Sequence, residues 1–158
     1  MSKLIIFDAD GTLTPQRQTS RSEPILELLP GVEAKCRELV RAGYLLAIAS
    51  NQSAARPVAD IRRQLAWTKQ KIGALIYRYA TTAQRRKPSP VMLLEVRRIC
   101  NSRHVIFVGD QETDRQAAEE AGITFILARE FFSRNELPTQ QFQRRRLRFN
   151  ESQKRYHA

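Results

Sequence analysis

Short apolar runs recur along the chain, and most of them end in a polar turn. Lys3 to Asp8 (KLIIFD) and Tyr44 to Ala49 are continuous rather than alternating, as expected of parallel strands buried on both faces. Ala74 to Tyr79, Val105 to Val108 and Ile123 to Ala128 read as three more strands. Helical spacing fills the intervals. Gly31 to Ala42 sets Val32, Cys36, Leu39 and Val40 on one face, with Gly43 as a natural stop. Ser53 or Ala54 to about Ile72 is helix-like with Pro57 in its first turn, Pro88-Ser89-Pro90 opens a helix through Cys100, and Glu112 to Ala121 is a helix stopped by Gly122. Residues 14–30 read as a loop with room for one helical turn near Pro24 to Leu29, and Thr81 to Lys87 as a polar, basic loop.

This alternation predicts an α/β fold, a Rossmann-like parallel sheet flanked by helices with right-handed crossovers. The chain carries no internal repeat. From about Thr139 it turns Gln/Arg-rich with scattered apolar residues, a composition that fits both a surface helix and a frayed tail. The expected organisation is therefore one domain over residues 1–137 and a basic tail or surface helix over 138–158.

Composition sharpens this in three ways. The 158 residues suffice for one compact core without a disulfide or metal staple. The longest apolar run, Tyr44 to Ala49, is six residues, which excludes a bilayer-spanning helix, and Met1-Ser2-Lys3-Leu4 lacks the architecture of a signal peptide. Cys36 and Cys100 lie far apart without ligand-type spacing, so they read as small core residues in a reducing cytoplasm, and a Cys-based zinc site is excluded by count. The formal net charge is +11, which predicts attraction to polyanions. Residues 129–158 carry eight basic side chains against three acidic ones, a net +5.

The chemistry sits at the strand ends, where open parallel sheets bind ligands. The first strand ends in Asp8-Ala9-Asp10-Gly11-Thr12, the second in Ser50 and Asn51, and the fourth in Gly109-Asp110 with Asp114 close behind; Lys87 stands on the loop before a helix. Two or three carboxylates brought together repel one another unless a cation joins them, and an oxygen-only set without His or Cys selects a hard ion, Mg²⁺ above others. A carboxylate beside Mg²⁺ can act as a nucleophile toward phosphorus. Lys87, the Ser50 hydroxyl and turn N–H groups would then neutralise the transferring phosphoryl group.

Asp8-Ala9-Asp10-Gly11-Thr12-Leu13-Thr14 resembles the DxDGT[LV]T signature of the haloacid dehalogenase-like (HAD) phosphohydrolases. Ser50, Lys87 in Arg86-Lys87-Pro88-Ser89-Pro90, and Gly109-Asp110-x-x-x-Asp114 resemble that family's second, third and fourth motifs, in its order, over roughly residues 3–128. The resemblance implies Asp8 as nucleophile and Asp10 as general acid/base. It implies Asp8, Asp10 and Asp110 as the Mg²⁺ set, Ser50, Asn51 and Lys87 as phosphate-binding, and Asp114 as support for the metal site. The Ser-Asn-Gln-Ser and Arg-Lys-Pro-x-Pro-x-Met wording is most similar to the subclass III branch of histidinol phosphatases and polynucleotide 3′-phosphatases. Two positions differ from that branch: Gln70 to Lys87 lacks the Cys/His zinc loop of heptose-bisphosphate phosphatases, and Val91 replaces the usual Gly before the Met.

Only 36 residues separate Thr14 from Ser50 and 37 separate Ser50 from Lys87, so the site is expected to be essentially capless. An open site admits a bulky phosphoester. With the basic charge, this points to a nucleic-acid 3′-phosphate end, a DNA or RNA partner contacted through Arg17, Arg21, Arg85, Arg86 and the Arg144 to Arg148 cluster. The alternatives are a small phosphorylated metabolite of sugar-phosphate or histidinol-phosphate type, or a non-catalytic nucleic-acid-binding module on the same scaffold. Trp67, Tyr77 and Tyr79 read as core or helix-face residues, and His104 and His157 carry no role.

Overall fold

The computed structural model describes residues 2–17, 23–135 and 137–138; Arg21, the Arg144 to Arg148 cluster and the expected tail lie outside the described residues. The elements in chain order are β1 (Lys3–Phe7), α1 (Val32–Arg41), β2 (Leu45–Asn51), α2 (Val58–Ile72), β3 (Ile76–Ala80), α3 (Val91–Ile99), β4 (His104–Gly109), α4 (Glu112–Glu120), β5 (Thr124–Leu127) and α5 (Ala128–Ser133). All strand pairs are parallel, in the order β3-β2-β1-β4-β5. The Rossmann-like sheet predicted from the alternation is thus the observed one.

β1 is central because its side chains have no wet face: Leu4, Ile5, Ile6 and Phe7 are fully buried. Ile5 and Phe7 enter a core with α1, α2 and α5, whereas Leu4 and Ile6 enter a second core with α3 and α4. Each such side chain contributes on the order of 1.5–3 kcal/mol of burial free energy. Register pairs Phe7 with Ile48 on one side and with Val108 on the other. The ends of β1, β2 and β4 therefore finish at one level. Chain order reverses between β1 and β4, and the crevice at such a reversal is where ligands bind in open α/β sheets.

Several boundaries differ from the pattern-based expectation. Residues 24–29 form no helical turn, and Leu29 instead donates its N–H to Leu13 O at 2.8 Å. α2 starts at Val58 rather than near Ser53, since Pro57 is its extended N-cap and a residue before proline disfavours helical geometry. On α1, Lys35 takes the buried place expected for Val40, which is 43% exposed. Lys35 runs its aliphatic stem into the core while its ammonium donates to the Arg134 carbonyl at 2.7 Å. Cys36 is buried, its thiol pushed up to about 12 by desolvation; Cys100 is half-buried.

α5 was not expected. It follows β5 without a loop and places Phe131 and Phe132 5.6 and 5.9 Å from the Phe7 ring. Tyr77 and Tyr79 pack half-buried against the first core, as expected of sheet residues. Phe131→Ala is expected to lower the unfolding free energy by about 3–5 kcal/mol. In urea titration this appears as a lower midpoint with an unchanged slope, and a midpoint equal to that of the wild type would show that α5 is not anchored there.

Candidate active site

Asp8 is the first residue past β1, and its N–H donates to Val108 O at 2.9 Å, which ties it to β4. The chain then closes a tight turn in which the Ala9 carbonyl accepts from the N–H groups of Thr12, Leu13 and Thr14. Gly11 sits in the left-handed region at φ +81, where a Cβ would come within 2.3 Å of Asp110 Oδ2. Thr12 Oγ1 donates to Asp110 Oδ1 at 3.3 Å across the same gap. The DxDGT turn thus docks on the end of β4, and only glycine permits the approach. Gly109 plays the matching part for Asp114, which lies 2.6 Å from where its Cβ would be.

Asp8, Asp110 and Asp114 bring carboxylate oxygens within 4.8 Å of one another. Lys87, 3% exposed, answers part of that charge: its Nζ donates to Asp8 Oδ1 at 2.8 Å and to the Ala49 carbonyl at 2.9 Å, and pairs with Asp114 Oδ1 at 2.6 Å. Burial pushes the Asp8 carboxyl up to about 8; the Lys87 ammonium opposes that rise and the Asp114 charge adds to it. Burial alone would lower Lys87, but Asp8 and Asp114 outweigh it and hold the ammonium above its ordinary range. One cation against three crowded carboxylates leaves a charge deficit, and an all-oxygen donor set of this kind fits a hard divalent ion. Asp114 also accepts from the N–H groups of Asp110 and Gln111 at 3.2 and 3.0 Å, so it shapes the β4–α4 turn as well as the charge cluster.

The Asp10 carboxylate lies outside the three-aspartate group, in which Asp114 joins Asp8 and Asp110. Asp10 instead accepts from Gln64 Nε2 at 3.0 Å, Gln52 Nε2 at 3.1 Å and Thr14 Oγ1 at 3.3 Å. Sequence reasoning missed both glutamines, since an amide 42 or 54 residues away carries no signal of its own. Ser50 is fully buried at the site and accepts from Gln52 Nε2 at 2.8 Å. Asn51, expected to grip phosphate, spends its side chain on the lysine segment: Oδ1 accepts from the Lys87 N–H at 2.8 Å and Nδ2 donates to the Lys87 carbonyl at 2.9 Å. Its amide matches a peptide group in both directions, so it positions Lys87.

The expected nucleic-acid arginines separate. Arg85 turns away to pair with Glu95 at 2.6 Å, beside Arg78. Arg86 donates to the Gln52 carbonyl at 2.7 Å. Arg17 donates to Gln64 Oε1 and to the Glu23 carbonyl. Arg56, not anticipated, is 9% exposed and donates to both Gln52 Oε1 and Gln64 Oε1; its Nε is buried without a partner among the described residues. Burial, then the nearby Arg17 charge, pulls the Arg56 guanidinium below its ordinary range.

Comparison with known proteins decides the family. The profile of the haloacid dehalogenase-like hydrolases matches residues 15–128. The chain belongs to this family. Among curated relatives, a phosphoglycolate phosphatase of Rhodobacter capsulatus is 38% identical over 52 residues, 33% of this chain and 24% of that protein. Another from Cereibacter sphaeroides is 30% identical over 105 residues, 65% of this chain and 45% of that protein. The haloacid dehalogenase-like chain thus spans less than half the length of these curated relatives. Among solved structures, D,D-heptose 1,7-bisphosphate phosphatase from B. bronchiseptica, complexed with magnesium and phosphate, superposes with a TM-score of 0.71 at 24% identity, over 87% of this chain and 89% of that one. A putative HAD-like phosphatase from Mesorhizobium loti gives 0.63 at 21% identity, over 77% and 69%. These likenesses establish the fold.

The buried carboxyl has a consequence for stability. Without metal, folded Asp8 keeps its proton up to about pH 8, whereas the unfolded chain releases it near 3.8. The folded state then binds more protons across that window, so this contribution to stability is full below the lower value and is lost as pH rises to the upper one. In chelator, the wild-type melting temperature is expected to fall between about pH 5 and pH 8 more steeply than that of Asp8→Asn, with the variant the more stable at the upper end. Parallel profiles would contradict the assignment.

Proposed function

We propose that this protein is a Mg²⁺-dependent phosphomonoester hydrolase that works through an aspartyl-phosphate on Asp8. The observation that carries the proposal is the convergence of Lys87 on Asp8 and Asp114, at 2.8 and 2.6 Å, within the three-aspartate cluster. Asp8 and Asp110, with Asp114, would hold Mg²⁺, which supplies charge neutralisation at the phosphoryl oxygens when bound. That ion also favours the ionised form of Asp8, against the effect of burial.

The chain's own groups then divide the work. Asp8 attacks phosphorus through a carboxylate oxygen as the bond to the leaving oxygen breaks. Asp10 gives that oxygen its proton, and the alcohol departs. Asp10, now a carboxylate, takes a proton from water as the water oxygen attacks the phosphorus; the Asp8–phosphorus bond breaks, releasing inorganic phosphate and restoring Asp8. Lys87 and the Ser50 hydroxyl stand against the phosphoryl oxygens. The intact Asp8/Asp10 pair argues against a non-catalytic binding module.

The reading favoured for the substrate is a small phosphorylated metabolite carrying a second anionic group. Phosphoglycolate phosphatases and a heptose bisphosphate phosphatase are among the relatives, and Arg17 and Arg56 both reach the glutamine side chains that hold Asp10. The described connections from 23 to 31, 52 to 57 and 81 to 90 carry no inserted module, which suits a capless, subclass III arrangement. A nucleic-acid 3′-phosphate end is the second reading, favoured by the net charge of +11.

A panel with Mg²⁺ and with EDTA tests both readings on phosphoglycolate, sugar bisphosphates, histidinol phosphate, and 3′- and 5′-phosphorylated DNA. Turnover is expected with Mg²⁺ only, lowered at least 10³-fold in Asp8→Asn, and greatest on the small dianionic substrates with little salt dependence. A preference for 3′-phosphorylated DNA that collapses with salt would select the second reading. Activity that survives in Asp8→Asn would overturn the mechanism.

A further inference from the structure

Asp10 is held by an amide clamp that the family assignment does not explain. Gln64 from α2, fully buried, and Gln52 from the turn after β2, 3% exposed, each aim Nε2 at one oxygen of this carboxylate. The orientation of both amides is fixed from behind. Arg56 donates to Oε1 of each, and Arg17 donates to Oε1 of Gln64. An arginine has no acceptor, so only the amide oxygen can face it, and the Nε2 hydrogens must face Asp10.

The clamp also distinguishes the two oxygens of Asp10. Oδ1 accepts from both Gln64 and Thr14, whereas Oδ2 accepts only from Gln52 among the described residues. A carboxylate has about four lone-pair sites, two on each oxygen. Among the described residues Oδ1 is filled, and Oδ2 keeps one site open. Gln52 Nε2 spends its second hydrogen on Ser50 Oγ, at 2.8 Å, so the same amide spans the acid/base and the residue expected at the phosphoryl group.

We propose that Gln64 and Gln52 are positioning residues for proton transfer: backed by Arg56, they hold Asp10 so that Oδ2 carries the proton delivered to the leaving oxygen. This rests on the phosphatase reading above. The proton leaves Asp10 Oδ2 as the phosphorus–oxygen bond breaks and its electron pair goes to the departing oxygen. The products of that step are the alcohol, ionised Asp10 and phosphorylated Asp8.

A residue that places the acid should matter in proportion to how much the leaving oxygen needs a proton. Gln64→Glu is the informative variant: nearly isosteric, it still accepts from Arg17 and Arg56 but offers Asp10 no N–H. Gln52→Glu removes the donor at the other oxygen, together with the bond to Ser50 Oγ, and decides the question if the first variant does not fold. Each is compared with wild type, in Mg²⁺, on an alkyl phosphate and on p-nitrophenyl phosphate. The parameter is kcat/KM, which reports transfer to Asp8 and leaves out the later hydrolysis common to both substrates.

The expected result is a fall of about 10²-fold or more on the alkyl phosphate and of less than about tenfold on the nitrophenyl ester, whose leaving group departs without a proton. Equal losses on the two substrates, or no loss on either in a folded variant, would overturn the positioning role while leaving the phosphatase reading intact. Wild-type protein inert toward every phosphomonoester with Mg²⁺ would overturn that reading and this one together.

Discussion

A lysine ammonium buried among carboxylates at the end of a parallel sheet is the constraint on which the rest of this structure depends. Lys87 is 3% exposed and touches Asp8, Asp114 and the Ala49 carbonyl. A buried charge is tolerable only when paired and hydrogen-bonded, and this one is satisfied on three sides. Its partners come from different places: Asp8 follows β1, Asp114 lies in α4, and the carbonyl belongs to β2. Only when β1, β2 and β4 end at one level do these groups meet. The two apolar cores that seat β1 between its neighbours are therefore what make the charge arrangement affordable.

Around that centre, backbone requirements and chemical requirements coincide. Gly11 is the residue that lets the turn after β1 lie against Asp110, and Gly109 is the one that lets Asp114 reach back over the end of β4. Asn51 grips both sides of the Lys87 peptide and so sets where its side chain starts. Each narrows the positions open to the charged side chains of the site.

The two aspartates of the first motif occupy opposite electrostatic surroundings. Asp8 is buried beside Asp114 and Lys87, where desolvation raises its carboxyl and the ammonium opposes that rise. Asp10, two residues on, faces neutral amides whose oxygens are held by guanidinium groups. One short turn thus sets its two carboxylates in different surroundings. Arg56 and Arg17 also bring positive charge to the amides behind Asp10.

Much of this was legible in the chain itself. Continuous apolar runs such as KLIIF and the helical spacing of Val32, Cys36 and Leu39 specify a parallel α/β sheet, because side-chain period reports how many faces are buried. Asp8, Lys87, Asp110 and Asp114 were equally readable, since short motifs at strand ends keep their meaning locally. What tertiary structure alone decided were the contacts between segments far apart. It put Gln64 and Arg56 behind Asp10, left Asp10 outside the acidic cluster, turned Arg85 toward Glu95, and laid α5 on Phe7. A glutamine in a helix or an arginine in a loop looks the same in sequence whether it faces water or a carboxylate. Its partner is fixed only when the packing of whole elements sets the distance between them.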